Sequence, residues 1–133
     1  MQAAVTRTLP AVPLPIVVVV DDDPAVCSSL KFSLELEGFS VRTYGNAAEF
    51  LKVGPAGADC LVIDQRMPAM SGMELIAKLR EQNISTPAVL IVSQPNSAVS
   101  ARAAKIGVPI VEKPFLGNTL LEKIRQACDG KDG

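Results

Sequence analysis

VVVVDDDP, Val17 to Pro24, runs four β-branched apolar residues straight into three adjacent carboxylates and a proline. With Ile16 in front, the apolar run is the pattern of a strand covered on both faces, the way strands of a parallel sheet are buried. Pro24 suits the first position of a helix, where no amide hydrogen is required, and Asp23 before it suits an N-cap. The stretch therefore reads as strand, acidic turn, helix. Asp21 and Asp22 are left without a local structural reason, and like charges at the end of a buried strand repel.

The same alternation continues outward. A helix over 24–37 places Val26, Leu30 and Leu34 at helical spacing, with Gly38 as its stop. Ser40–Tyr44 reads as a second strand, and Asn46 with Glu49 makes a capping pair for a short helix through Leu51. Gly54, Pro55 and Gly57 mark 53–58 as loop. A third apolar run, 60–63, also ends in an aspartate, Asp64. Ser71 and Glu74 form a capping-box signature opening a helix to about Glu81. Ala88–Val92 is a fourth strand ending at Ser93, and Asn96 caps a helix reaching Lys105, closed by Gly107. A short fifth strand over 109–111 leads to Lys113, and a last helix over 118–128 puts Leu120, Leu121, Ile124, Ala127 and Cys128 on one face. This (βα)5 order predicts an α/β fold with a five-stranded parallel sheet and helices on both faces. In such sheets the functional crevice lies beyond the carboxyl ends of the strands.

Composition narrows the chemistry. The 133 residues, enough for one sizeable core, are 48% hydrophobic and 20% charged with a formal net charge of -1. That balance offers no general basic surface for nucleic acid or anionic lipid. No apolar segment is long enough to cross a bilayer, and MQAAVTRTLPAVPLP has no long apolar core after its charge, so it does not read as a signal peptide. Residues 1–15 are expected to be a flexible tail, 16–128 the folded domain and 129–133 a C-terminal tail or the start of a linker. Cys27, Cys60 and Cys128 are scattered, as reduced cytosolic thiols used in packing would be. There is no histidine, which removes the commonest general base and the usual zinc ligand. Chemistry here has to run on carboxylates, a hydroxyl and amines.

Asp21 and Asp22 follow the first strand, Asp64 the third, Ser93 the fourth and Lys113 the fifth, so all should project from one edge of the sheet. Close carboxylates force one of their number to take up a proton unless a cation compensates. Oxygen ligands without histidine or cysteine suit a hard cation such as Mg2+. A carboxylate nucleophile with a divalent metal, a lysine and a hydroxyl makes a site for accepting a phosphoryl group.

At these residues the chain resembles the receiver domains of two-component response regulators. The resemblance is carried by V-D-D-D-P, V-I-D-Q-R-M-P-A-M-S-G-M-E-L, V-L-I-V-S and E-K-P-F, and it extends from about Ile16 to Ala127. It implies a doubly wound, flavodoxin-like receiver fold with Asp64 as phosphoacceptor. It further implies Mg2+ held by Asp22, Asp64 and the backbone carbonyl of Arg66, with Asp21 acting largely through water. Ser93 would turn toward the phosphoryl group, Lys113 would pair with one of its oxygens, and the Lys113–Pro114 bond would often be cis. A sensor histidine kinase or phosphotransfer protein would be the donor. Phosphorylation would shift an inactive/active equilibrium and change the face of the fourth helix, fifth strand and fifth helix, which would also serve a homodimer. This would be a cytoplasmic signalling module rather than an enzyme, with no direct contact to nucleic acid or membrane.

Several positions depart from that pattern. Ile110 stands where many receivers carry an aromatic switch residue, and Gln94 followed by Pro95 replaces the small side chain usual after the hydroxyl residue. Arg66, Gln94, Pro95 and Ile110 are thus candidate modulators of phosphorylation. The interval from Ser93 to Lys113 is a couple of residues short, which predicts an abbreviated fourth helix or loops. Two other functions stay open. A degenerate receiver would act as a phosphorylation-independent binding platform. A phosphohydrolase would echo the D-x-D of haloacid dehalogenases in Asp21-x-Asp23, although the expected Gly-Thr does not follow and there is no room for a cap domain. A stand-alone receiver and a piece cut at a linker are equally compatible with the sequence.

Overall fold

The computed structural model describes residues 13–94, 96–113 and 118–130. Five strands, β1 (Ile16–Val20), β2 (Ser40–Tyr44), β3 (Cys60–Asp64), β4 (Ala88–Val92) and β5 (Ile110–Glu112), alternate with five helices. These are α1 (Pro24–Leu36), α2 (Ala47–Val53), α3 (Gly72–Glu81), α4 (Ser97–Lys105) and α5 (Thr119–Gly130). All four strand pairings are parallel, and the order across the sheet is β2-β1-β3-β4-β5.

The valine run explains the layering. Val17 and Val19 pack with Leu30 and Leu34 of α1 and with Leu120 and Ile124 of α5. Val18 and Val20 pack with Phe50 of α2, Ile76 and Leu79 of α3 and Ala103 of α4. Successive side chains point to opposite faces of a strand, so each face needs its own apolar set, and β3 and β4 are buried along their whole length, as is β1 from Val17 onward. Only Ile16, where β1 begins, is less than fully enclosed.

The caps follow the sequence closely. The Asp23 carboxylate accepts from the Ala25 amide at 2.9 Å, with Pro24 in the first helical turn. Ser71 and Glu74 complete a reciprocal capping box at α3. At α2, Asn46 accepts from the Glu49 amide as expected, but the Glu49 carboxylate reaches back to the amide of Gly45 instead of Asn46.

The boundaries shift in several places. α2 runs to Val53, because Gly54, at φ 82, closes it by donating its amide to the Phe50 carbonyl. β3 includes Asp64. β5 is one residue later than expected, since Pro109 has no amide hydrogen and contributes only its carbonyl, which accepts from Leu90. α5 continues to Gly130, two residues past the expected domain end at Cys128. At the amino end, the Pro15 carbonyl accepts from the Ser40 amide and Asp59 accepts from the Ile16 amide, so the expected tail is tied to the sheet from Pro15 onward. Residues 1–12 of that tail, Pro95, the Lys113–Pro114 bond and residues 131–133 lie outside the described residues.

Candidate phosphoryl and metal site

The strand order reverses between β1 and β3. The chain leaves β1 for β2 on one side and returns to β3 on the other, and the carboxyl ends at such a switch point form the crevice of an open α/β sheet. Asp21, Asp22 and Asp64 stand there. Each can place one carboxylate oxygen within 4.8 Å of the others. Asp21 and Asp64 are buried and Asp22 is exposed.

The backbone fixes these positions by carrying the sheet ladder one residue past each strand. The Asp21 amide donates to the Tyr44 carbonyl, that of Gln65 to Ile91 and that of Lys113 to Val92. Asp21 is held further by its own turn, its Oδ1 accepting from the Asp23 amide at 2.9 Å. Lys113 arrives from the end of β5, with its Nζ 3.2 Å from Asp64 Oδ1 and 3.4 Å from Asp21 Oδ2.

Charge does not balance in this cluster. Burial, and next the negative charge of Asp21, push the Asp64 carboxyl above its ordinary range, while Lys113 pulls it partly back. Burial by itself would lower the Lys113 ammonium, but Asp64 and Asp21 together outweigh it and hold the proton more tightly than usual. One cation against three acids leaves the site short of positive charge. An all-oxygen donor set around that deficit fits a hard divalent ion.

Among the described residues, the other expected site residues lie on β5 and on the loops after β3 and β4. Ser93 is exposed just past β4. With Gln94, Gln65, Arg66, Asn96 and Val99 it lines a hollow of about 340 Å³. Ile110 is half-buried on β5 and packs against the cluster shared by α2, α3 and α4. α4 spans nine residues.

Gln65 was not among the expected residues. Its side-chain Oε1 accepts from the Met73 amide at 2.9 Å, and its carbonyl accepts from the Gly72 amide at 3.0 Å. Gly72 itself approaches the phosphoacceptor candidate closely, for a Cβ there would lie 2.6 Å from the Asp64 carbonyl oxygen.

Comparison with known proteins matches residues 17–125 to the family model described as the response regulator receiver domain. The chain belongs to the response regulator receiver domain family. It is 36% identical over 113 residues to the transcriptional regulatory protein FixJ of Rhizobium meliloti, covering 84% of this chain and 55% of that protein. Among solved structures it is similar to FixJ-N, with TM-score 0.78 and 35% identity, covering 86% of this chain and 94% of that one. The response regulator StyR gives TM-score 0.83 at 37% identity, covering 90% and 61%. This receiver spans about half the length of the curated FixJ relatives it matches. No helix among its described residues is long and apolar enough to cross a membrane.

Proposed function

We propose that this receiver accepts a phosphoryl group on Asp64 from a phosphorylated histidine of a sensor kinase or phosphotransfer protein in the cytoplasm. The signalling unit runs from Ile16 to the end of α5 at Gly130. The single observation carrying this reading is the meeting of Asp21, Asp22, Asp64 and Lys113 at the β1/β3 switch point.

An Asp64 carboxylate oxygen attacks phosphorus in line, so the new oxygen–phosphorus bond forms as the donor's nitrogen–phosphorus bond breaks and the imidazole leaves. Asp21, Asp22, Asp64 and the Arg66 carbonyl are the candidates to hold Mg2+, which when bound supplies charge neutralisation for the phosphoryl oxygens. Lys113 starts paired with Asp64 and is free to transfer that pairing to a phosphoryl oxygen. Ser93 is the hydroxyl available to follow it, and Arg66, Gln94 and Pro95 bound or adjoin the approach. The new state is read through the face of α4, β5 and α5, by a partner or a second copy, without an aromatic swing at Ile110.

Incubation with acetyl phosphate and Mg2+, followed by intact mass measurement, tests this. A labile single-phosphate adduct is expected on the wild type and not on Asp64→Asn. Mg2+ binding with no adduct on either would favour the phosphorylation-independent platform.

A further inference from the structure

We propose that Gln65 is a positioning residue for the metal and phosphoryl site, acting through the first turn of α3; this rests on the reading of Asp64 as an Mg2+-dependent phosphoacceptor.

Gln65 is bound three ways. Its amide donates to Ile91 of β4 at 2.8 Å, its carbonyl accepts from Gly72 and its side chain accepts from Met73. The loop 66–71 therefore leaves from and returns to one residue. The first amides of a helix have no partner within it, and at α3 Gln65 takes two of them while Ser71 takes the amide of Glu74.

These bonds reach the site because of Gly72. Its Cα stands so close to Asp64 that any Cβ would overlap the Asp64 carbonyl, so α3 starts directly on the main chain of the acceptor residue. A first turn that loosens at Met73 frees Gly72, and with it the backbone from Asp64 to Arg66. That backbone aims one carboxylate and carries the carbonyl assigned to the metal. The Ser71 cap serves the same helix by a bond of the same kind, but both of its ends lie within 71–74, whereas the Gln65 bond ties α3 to the residue next to Asp64. Helix stability alone would make the two bonds equivalent. Positioning would make only the Gln65 bond matter to the ion.

The test compares Gln65→Met, which keeps length and loses the acceptor, Gln65→Glu, which keeps the acceptor, and Ser71→Ala. Mg2+ affinity is read by isothermal titration and the Met73 amide by hydrogen exchange. Loss of a bond that orients metal ligands typically weakens the ion by tenfold or more, so Gln65→Met is expected to raise the Mg2+ dissociation constant by about tenfold and speed Met73 exchange. Gln65→Glu should restore both, and Ser71→Ala should leave Mg2+ binding at the wild-type value. Wild-type Mg2+ affinity in Gln65→Met, or equal losses in Gln65→Met and Ser71→Ala, overturns the proposal. A wild type that binds no Mg2+ at all overturns the underlying reading, and the positioning role with it.

Discussion

Lys113 Nζ lies 3.2 Å from Asp64 Oδ1, joining the end of β5 to the end of β3 across the intervening strand β4. This ion pair also touches Asp21, so one ammonium serves two buried acids. Replacing it by an apolar side chain leaves both acids facing each other. Lys113→Met is expected to destabilise the metal-free protein by about 1–2 kcal/mol, less than the full cost of orphaning a buried charge because the lysine side chain is partly exposed. Urea unfolding at neutral pH reads this, and Mg2+ should return part of the loss.

The raised Asp64 carboxyl sets a pH dependence. Its folded state holds the proton more tightly than the unfolded chain, so its contribution to stability is full below the unfolded value of about 3.9 and is lost as pH rises through the folded value. Without Mg2+, Asp64→Asn should therefore melt above the wild type at pH 7, and the gap should close as pH falls toward about 4. Lys113 has the same sign in a higher window, since its raised value keeps its contribution full throughout neutral pH and loses it only in the alkaline range.

On the proposed reading the three consecutive acids divide their work, and two variants should separate them. Asp23→Ala removes the α1 cap and is expected to cost about 1 kcal/mol while keeping the response to Mg2+. Asp22→Asn should be nearly silent without metal, because Asp22 is exposed, and should lose the response. In the wild type, Mg2+ at about a hundred times its dissociation constant adds about 2.7 kcal/mol, visible as a rise in Tm.

Gly72 is a test of close packing. A methyl group there would meet the Asp64 carbonyl at 2.6 Å and Leu90 Cδ1 at 2.7 Å, and neither the main chain nor the buried leucine has space to retreat. Gly72→Ala is expected to destabilise by about 1–3 kcal/mol in chemical unfolding.

Much of this was legible in the sequence because the signals are local or periodic. The run 17–20 has to be enclosed on two faces, and Ser71 with Glu74 announces its own cap three residues apart. The carboxylates at the ends of the first and third strands were readable because parallel alternation sends every strand end to one edge. Gln65 was not, since its side chain meets an amide eight residues on, a spacing that belongs to neither helix nor strand. The available hint was a long polar side chain just past a strand, before a loop returning to a capped helix. The clasp between Asp59 and the Ile16 amide, across 43 residues, was hidden for the same reason. The end of α2 is hidden because Gly54, with Pro55 and Gly57, marks 53–58 as loop, whereas its positive φ makes it the closure of the last turn.

Val20 lies beside Ile63, and that neighbourhood closes a loop of about forty residues. Before it closes, the chain carries two separate acidic segments, neither better than any solvated carboxylate at retaining a divalent ion. The ion trap comes into being only when the two central strands zip together. On the proposed reading, capture of Mg2+ during refolding would be a clock for the assembly of the middle of the molecule.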